Sequence, residues 1–397
     1  MAIRLWGITR LARSLNLIVP GAVFFYPIPM PFIPYRRAWF AHVRLIGWAL
    51  LFTAALAAKA STVAVIGLVH AHGWSHLKEM VQNRDVTLVG VAEPNPALLK
   101  LAREAGVPEN LTFADYVQML DSVKPDFVWA FVENNRHLEI ARACATRGIN
   151  VIFEKPLASS YADAVAIRDL AQKSGIFVMT NYQMAWWPTN YTAKRLAESG
   201  ELGGVYRLRG LVGNSGPGDA RAESTRIFYA WLKDPAKNGA GALIDFGCYN
   251  VLWSLWYFGR PASVYALAGQ LQPERNPKEE DYATFVLKYK DREAILEGSW
   301  DLPQAYQDLE IFGLKGTLYM TEQGVAIHPA GHPERQAASD PLPPEMAGPL
   351  ACMANAIKTH RAPGGMVGLD LNVQVMEIIE AAKESVRTGK AVPLSPN

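Results

Sequence analysis

Short apolar runs alternate with amphipathic stretches over residues 62–180. The apolar runs predict buried strands, and the amphipathic stretches between them predict helices. Strands that are apolar throughout and alternate with helices are typical of a parallel sheet covered on both faces. The pattern predicts strands at 62–67, 86–93, 126–132, 150–153 and 176–180, and helices at 72–82, 96–105, 116–122, 136–147 and 161–173.

After Asn181 the hydrophobic period changes to two, which predicts strands with one buried face and one open face. We expect a mainly antiparallel sheet, preceded by one helix and interrupted by another. A final amphipathic helix is expected to pack back across the molecule. The predicted strands are 205–212, 263–272, 282–290, 294–300 and 309–320, and the predicted helices are 190–199, 239–257 and 371–388.

Together these patterns predict an α/β chain: an N-terminal Rossmann domain (61–181), then an α+β domain with an open, mainly antiparallel sheet (182–345), and a C-terminal helical segment (346–397). At 397 residues the chain is long enough for two domains. An open sheet face is commonly covered by another subunit. We therefore expect a homodimer or homotetramer formed through this face.

The first sixty residues have the layout of a targeting segment. Arg36 and Arg37 precede an apolar run at 45–58 that ends in small-x-small patterns, as in a secretory signal. The run is shorter than the about twenty residues that span a bilayer. Paired arginines favour twin-arginine export, and so a periplasmic or secreted enzyme. An uncleaved anchor, or a true start at Met30 with a cytoplasmic protein, remains open.

Composition excludes several classes of function. The net charge is +2 and the basic residues are scattered, so we expect no nucleic-acid partner. Three separated cysteines argue against a disulfide framework or a zinc site. His70, His72 and His76 cluster, but they fall in a glycine-containing turn and the helix after it. We therefore expect no metal.

The turn after the first strand carries a partial dinucleotide fingerprint. Only Gly67 is in register with G-x-G-x-x-G, because Val69 and His72 occupy the second and third glycine positions. Glu93 ends the second predicted strand, where an acid holds the ribose hydroxyls of a dinucleotide. A carboxylate there repels a 2′-phosphate, which favours NAD over NADP. A solvated acid at a strand end is the alternative.

The triplet Glu154-Lys155-Pro156 ends the fourth predicted strand. Charged residues there lie at the carboxyl edge of a parallel sheet, where ligands bind. Asp245 and Tyr249 are four residues apart on the inserted helix and are predicted to share a face. An acid on so apolar a stripe requires a partner. We expect Asp245 and Tyr249 to face Lys155 across a cleft, although Tyr249 could instead be core, with its hydroxyl bonded to Asp245.

These motifs resemble the Gfo/Idh/MocA family of glucose–fructose oxidoreductases and inositol dehydrogenases over residues 62–394. The resemblance is carried by Glu154-Lys155-Pro156, the segment G-A-G-A-L-I-D-F-G-C-Y, the Asn181 segment and the C-terminal A-A-K-E-S-V-R-T-G-K-A-V-P-L. It implies a Rossmann domain joined to an open-faced domain, NAD or NADP as cofactor, and a sugar or polyol substrate. It also implies that Lys155 contacts the cofactor ribose and the substrate, and that Asp245 orients the substrate.

Tyr249 departs from the histidine that many members carry there, and resembles the glucose–fructose oxidoreductase and dihydrodiol dehydrogenase branch, in which tyrosine carries the proton. We expect Tyr249 to take the hydroxyl proton as hydride leaves, with a pKa lowered by Lys155. Glu154 would steady Lys155 or the ribose, and Asn134 is assigned to the cofactor. Asn181 and Trp187 are expected to line the substrate pocket, although Trp187 could also be core.

Two other functions remain open at this point. One is an NAD-dependent glycosidase of the same fold, and the other is a non-catalytic sugar-binding protein. The identity of the sugar is also open, because four basic residues of the second domain could either meet an acidic sugar or be solvated. They are Arg207, Arg209, Arg226 and Lys233.

Overall fold

The computed structural model describes residues 60–395. The predicted targeting segment, except for Ala60, lies outside the described residues. No helix in the described part of the chain has the length and apolar character needed to cross a membrane.

The first sheet has six parallel strands in the order β3-β2-β1-β4-β5-β6. This is the Rossmann order, in which the order of strand addition reverses between the first and fourth strands and leaves a ligand crevice at their carboxyl ends. The strands β1, β4, β5 and β6 are almost wholly buried, which explains their continuous apolar sequence. The strands are β1 (Ser61–Ile66), β2 (Val86–Ala92), β3 (Thr112–Phe113), β4 (Phe127–Ala130), β5 (Asn150–Glu154) and β6 (Val178–Asn181).

Helices connect these strands, and three of the five begin at a polar side-chain cap. The Ser160 side chain accepts a hydrogen bond from the backbone N–H of Asp163, and Asp115 caps the third helix in the same way. His137, the first residue of the fourth helix, is no cap: it is fully buried, and its Nδ1 lies 3.0 Å from the Leu157 carbonyl oxygen. The helices are α1 (Gly73–Gln82), α2 (Pro96–Glu104), α3 (Tyr116–Val123), α4 (His137–Ala145) and α5 (Tyr161–Ser174).

The second sheet has nine strands in the order β14-β13-β12-β11-β7-β10-β9-β8-β15. It is mixed rather than wholly antiparallel, because β7 and β10 pair in parallel while its other pairs are antiparallel. The strands are β7 (Val205–Gly213), β8 (Ser263–Gly269), β9 (Tyr282–Lys288), β10 (Glu293–Ser299), β11 (Tyr306–Gly313), β12 (Gly316–Met320), β13 (Val325–Pro329), β14 (Arg335–Ala337) and β15 (Val392–Pro393).

The single strand predicted at 309–320 is wrong, because the chain reverses between Gly313 and Gly316 to form the hairpin β11–β12. A Cβ on Gly313 would lie 2.2 Å from the Leu202 carbonyl oxygen, so a side chain could not fit at this end of the hairpin. Apolar periodicity continues through the turn, and for that reason the pattern hides it.

The helix predicted at 239–257 is broken into two pieces, with a further short helix before it. The short helices α8 (Pro235–Asn238) and α9 (Ala242–Asp245) precede α10 (Gly247–Phe258), and Phe246 separates the last two. Asp245 and Tyr249 therefore do not share one continuous helix. The remaining helices are α6 (Pro188–Glu198), α7 (Glu223–Leu232), α11 (Pro349–Thr359) and α12 (Leu369–Thr388).

Two glycines allow the chain to pass between the sheets here. Gly239 has φ +102°, and a Cβ there would lie 2.3 Å from the carbonyl oxygen of Ser159, in the loop after β5. At Gly241 a Cβ would lie 2.0 Å from the Glu280 carbonyl oxygen. The Glu280 carboxylate accepts hydrogen bonds from the N–H groups of Gly241 and Leu243, so it caps α9. The G-A-G motif is thus a close-packing motif.

The helix α12 packs against α5, α10 and β8, and so contacts both sheets. Arg260, which follows α10, forms a two-pronged ion pair with Glu377 of α12, with N–O distances of 2.5 and 2.6 Å. The three cysteines, Cys144, Cys248 and Cys352, are buried and free. Burial raises the pKa of the Cys144 and Cys248 thiols to about 12.

Gly239→Ala is expected to lower the free energy of unfolding more than Gly175→Ala, measured by urea denaturation. Gly175 has φ +74° but open space around it, so its replacement adds only the left-handed strain of about 1–2 kcal/mol. Gly239→Ala adds a backbone clash, and overpacking of this kind costs about 1–3 kcal/mol more. Equal losses in the two variants would contradict the proposed close packing.

Candidate active site

A cavity of about 420 Å³ lies between the carboxyl end of β5 and the segment that joins α9 to α10. Its wall brings together four residues singled out in the sequence, Lys155, Tyr249, Asp245 and Trp187, and also His72 of the glycine turn. The expected approach of Lys155 to the inserted helix is therefore present in the structure.

Lys155 and Asp245 form a buried ion pair across this junction. Lys155 Nζ lies 2.5 Å from Asp245 Oδ1 and 3.2 Å from the Asp245 carbonyl oxygen. Asp245 Oδ2 accepts a hydrogen bond of 2.9 Å from the indole N–H of Trp300. Burial by itself would lower the pKa of Lys155, but the neighbouring groups, Asp245 foremost, together outweigh it, and the net pKa lies above its ordinary value. The acid on the apolar stripe thus has its partner.

Tyr249 lies beside this pair. Lys155 Nζ is 5.1 Å from the centroid of the Tyr249 ring, and the ring packs edge-on against Tyr182. Both carboxylate oxygens of Asp245 are engaged by Lys155 and Trp300, and within the described residues the Tyr249 hydroxyl makes no hydrogen bond to Asp245. Tyr249 is buried in the core, as the alternative expected, but in the region that the structure describes its hydroxyl is not bonded to Asp245.

The expected direction of the Tyr249 pKa shift was wrong. Burial raises the pKa of the Tyr249 phenol above its ordinary value, and the opposing effect of Lys155 is smaller. The sequence indicated the nearby charge but not the depth of burial, and the charged form of a buried phenol is strongly disfavoured. Tyr249 is therefore a neutral phenol in this geometry.

Glu154 does not contact Lys155. Its carboxylate is fully buried, with Oε2 3.0 Å from His72 Nδ1 and Oε1 accepting a hydrogen bond of 2.9 Å from Asn181 Nδ2. Asn181 is also buried and is absent from the described residues that line the cavity. It therefore holds Glu154 in place, and only Trp187 of the two predicted substrate residues reaches the cavity wall.

Two of the three clustered histidines lie close to Glu154. The potential ligand atoms of His70, His72 and Glu154 lie within 4.8 Å of one another, whereas His76 pairs with Glu79 on α1. Burial lowers the pKa of His70 well below its ordinary value, so its ring is neutral at pH 7. His70 Nδ1 accepts the backbone N–H of His72 at 3.2 Å. That bond places the proton of the neutral ring on Nε2, so neither ring nitrogen of His70 offers a free lone pair to a metal.

The remaining predicted cofactor residues surround the glycine turn. Gly67 has φ +80°, and a Cβ there would lie 2.5 Å from a Val132 methyl carbon. The Glu93 carboxylate accepts the N–H groups of Leu68 at 2.7 Å and Asn95 at 2.9 Å. Burial raises the pKa of Glu93, although these bonds oppose the shift. Glu93 thus ties the turn to the end of β2.

Val69 and Asn134 connect the turn and the loop after β4 to other elements. The Val69 carbonyl oxygen accepts a hydrogen bond of 3.1 Å from Trp231 Nε1 of α7, and Phe228 of α7 packs on His70. Asn134 is buried and donates to Asn238 Oδ1 at 2.7 Å. Asn134 therefore binds α8 in this structure, and its assignment to the cofactor stays a prediction.

Several wall residues were missed by the sequence analysis. Trp300 holds Asp245, and α7 supplies Phe228, Tyr229 and Leu232 to the wall. The segment 223–232 carries an amphipathic pattern that could have signalled a helix, but nothing local assigns it to this cavity. Asp308 and Glu322 extend the wall from the second sheet.

Two family models match the chain in succession. The oxidoreductase family with an NAD-binding Rossmann fold matches residues 61–182, and the GFO/IDH/MocA C-terminal domain matches residues 191–319. The chain belongs to the GFO/IDH/MocA family. The resemblance, the α/β fold class and the NAD-binding domain predicted from the sequence are thereby confirmed.

Relatives within this family act on sugars, by their names. The D-xylose 1-dehydrogenase (NADP(+)) 2 of Haloferax volcanii is 28% identical over 74% of this chain and 87% of its own. The aldose-aldose oxidoreductase of Caulobacter crescentus, solved with glycerol, shares the fold with a TM-score of 0.72 and 23% identity over 85% of this chain and all of its own. A levoglucosan dehydrogenase solved with NADH and levoglucosan has a TM-score of 0.69 and 20% identity over 84% of this chain and 99% of its own.

The residues at the glycine turn fit a dinucleotide. Gly67 keeps the turn free of side chain at its closest approach to the loop after β4. A second cavity of about 160 Å³ opens on the other side of Gly67, between the ends of β1 and β2 and the residues that begin α3. One cavity at each side of the turn suits the two halves of NAD, with the turn between them facing the pyrophosphate.

Asp245→Asn is expected to lower the free energy of unfolding by about 3–5 kcal/mol, because it leaves the Lys155 ammonium buried without a counter-charge. Adding Lys155→Met should restore much of the loss, since the unpaired charge is then removed. Urea denaturation of the wild type, both single variants and the double variant gives the coupling energy. Additive losses would show that the two groups are not paired.

Proposed function

We propose that the protein transfers hydride between a carbinol carbon of a neutral sugar or polyol and NAD. One observation carries the proposal: the Lys155 ammonium and the Tyr249 phenol meet in one cavity at the carboxyl edge of the Rossmann sheet. A substrate in this cavity has a cation and a proton donor beside the same oxygen.

Gly67, Val69 and Glu93 would hold the cofactor at the glycine turn, with Glu154 and Lys155 at the end of β5. When bound, the nicotinamide supplies the hydride acceptor or donor. A carboxylate at the end of β2 disfavours a 2′-phosphate, and Asp115 of the second cavity adds a further negative charge. Arg136 lines the same cavity but is paired with Glu139 at 3.0 Å. These charges support NAD rather than NADP.

Tyr249 handles the proton of the substrate oxygen. As a neutral phenol it donates to a carbonyl oxygen during reduction, and it accepts the hydroxyl proton during oxidation once its own proton has left. Lys155 stays charged, so its ammonium stabilises negative charge on the substrate oxygen or on the phenolate. Asp245 fixes the Lys155 ammonium, with Trp300 holding the carboxylate.

The charge of the wall supports a neutral substrate. Among the described residues that line the cavity, Lys155 is the only lysine or arginine, and Asp245, Asp308 and Glu322 are acidic. None of the four basic residues considered for an acidic sugar lines this cavity. Arg207 pairs with Glu293, and Arg209 lies within 4 Å of Glu297 and Glu310. A carboxylate on the substrate would meet net negative charge.

A second copy of the chain is the proposed partner for the outer face of the nine-stranded sheet. The helix α10 packs on the inner face. The outer face carries half-buried Leu211, Val286 and Ile295 among its ion pairs, and Leu267 is 54% exposed. Apolar groups framed by charged pairs suit a homodimer or homotetramer interface.

Tyr249→Phe and Lys155→Met are each expected to lower the rate of hydride transfer about 10²–10⁴-fold, because each removes a group that handles charge or the proton at the reacting oxygen. The measurement is NADH absorbance with a panel of neutral aldoses, polyols and uronates. Tyr257→Phe is the matched control, because Tyr257 is a half-buried phenol on the same helix that donates to the Asn190 carbonyl oxygen. Unchanged rates in both site variants would refute the proposal.

The same panel separates the other functions considered for this chain. An aglycone released without net NADH formation would indicate a glycosidase. No bound nucleotide and no turnover would indicate a binding protein.

Wild-type protein is expected to bind NADH at least about tenfold more tightly than NADPH, a difference of about 1.4 kcal/mol. Glu93→Gln should lower the ratio of the NADPH dissociation constant to the NADH dissociation constant, because it removes the charge that repels the 2′-phosphate. Nicotinamide fluorescence titrations give both dissociation constants. A distorted turn would weaken the binding of NADH and NADPH equally, so a change in the ratio of the two dissociation constants reports the loss of the Glu93 charge. An unchanged ratio would remove Glu93 from cofactor selection.

A further inference from the structure

A chain of directed hydrogen bonds ends on His72. The indole Nε1 of Trp186 can only donate, and it donates to Asn181 Oδ1 at 2.9 Å. Asn181 must therefore present its Nδ2 to Glu154 Oε1, at 2.9 Å. The order of donors fixes Glu154 Oε1 as an acceptor and leaves Oε2 to His72 Nδ1, at 3.0 Å.

This chain fixes the tautomer of His72. A carboxylate has only acceptor sites, so a neutral His72 carries its proton on Nδ1 and has its lone pair on Nε2. In the described part of the chain no protein atom hydrogen-bonds Nε2. The side chain of His72 is 26% exposed, whereas that of Glu154 is 1% exposed. A buried carboxylate thus orients the imidazole of His72, which is a residue of the wall of the substrate cavity.

The reaction needs such an acceptor. Oxidation of a carbinol releases two electrons with the hydride and one proton from the oxygen. Tyr249 is protonated, so it accepts that proton only as its own proton leaves. Lys155 is already charged, and the Asp245 oxygens are engaged by Lys155 and Trp300. Asp308 and Glu322 also line the wall, from the second sheet, and His72 is the described wall residue whose lone pair is directed by a buried carboxylate.

We propose that His72, oriented by Glu154, is a second proton-transfer residue that takes the proton given up by Tyr249 and passes it to solvent. The proposal rests on the proposed function. The Tyr249 O–H bond breaks as the substrate O–H proton is taken up, and the released proton binds Nε2 of His72 through a substrate hydroxyl or water in the shared cavity. The imidazolium faces the Glu154 carboxylate and then loses its proton to bulk water at its exposed edge. In carbonyl reduction every step runs in reverse.

The ionisable groups around His72 come from four elements. The glycine turn supplies His70, α1 supplies His76, the end of β5 supplies Glu154 and Lys155, and the segment across the cavity supplies Asp245 and Tyr249. Among residues 60–395, Glu154 is the one group that hydrogen-bonds the His72 ring.

The test is the pH profile of kcat/KM for oxidation in wild type, His72→Gln and Glu154→Gln. Wild type should rise with pH to a plateau. His72→Gln should be 10–100-fold slower at pH 7 and keep rising with pH to above 9, because hydroxide then replaces the imidazole, and added imidazole should restore part of the rate. His328→Gln, at an exposed position of β13, is the matched control. A wild-type profile in His72→Gln would overturn the proposal.

A second readout does not depend on turnover. Side-chain ¹⁵N resonances of His72 should show the Nδ1–H tautomer in wild type and lose it in Glu154→Gln. The Nε2–H tautomer in wild type would overturn the proposal. So would binding of Zn²⁺ alone that shifts the His70 and His72 resonances together, because the cluster would then be a metal site.

The His72 proposal and the proposed function can be refuted separately. If Tyr249→Phe and Lys155→Met abolish turnover but His72→Gln does not, only the His72 proposal fails. If neutral sugars and polyols are not turned over by wild type, the proposed function fails, and the ¹⁵N measurement still decides the orientation of His72.

Discussion

The buried ion pair between Lys155 and Asp245 is the interaction on which the site depends. Neither charge is tolerable alone, because an isolated ion in the interior carries a desolvation penalty of several kcal/mol. Their attraction therefore fixes the end of β5 against α9, and the Trp300 indole extends the constraint to the residue after β10. The cavity takes its shape from this three-way junction.

Glu154 and Lys155 are adjacent in sequence but serve separate charge systems. Successive residues at the end of a strand point to opposite sides. Glu154 accordingly bonds His72 and Asn181 on the side of the glycine turn, while Lys155 bonds Asp245 on the side of the second sheet. The two charge systems reach one cavity through His72 and Lys155 without neutralising each other. Glu154 and Lys155 would each keep their own partner during the proposed hydride and proton transfer.

The sequence predicted the parts of the site that depend on strand ends. The carboxyl edge of β5 was visible from an apolar run that stops at a charged pair, and Asp245 was recognised because a carboxylate on an apolar stripe requires a partner. The predictions that failed concern properties that depend on the depth of burial of a side chain or on contacts with residues distant in sequence. The pKa of Tyr249 is set by burial, to which several segments of the chain contribute. The Asn181 side chain does not line the cavity, because its oxygen accepts a hydrogen bond from Trp186.

The local sequence pattern did not predict the helix break at Phe246, for a related reason. It also did not predict that α7 contributes to the cavity wall. The glycines before α9 signal an unusual path, but only the Ser159 and Glu280 backbones, distant in sequence, explain why a side chain is excluded. Helical periodicity continues across the break in the apolar segment 242–258. A sequence pattern reports which residues avoid water, and the partner that covers them is supplied by the whole fold.

The three free cysteines give the chain an asymmetry between its folded and unfolded forms. Each thiol is buried, and a buried thiol with a raised pKa yields almost no thiolate, the species that reacts with oxidants. An unfolded chain presents three accessible thiols, an odd number that cannot all pair within one molecule. We therefore expect the native state to resist oxidation and the unfolded chain to be prone to disulfide cross-linking. Folding in a reducing environment would avoid that cross-linking.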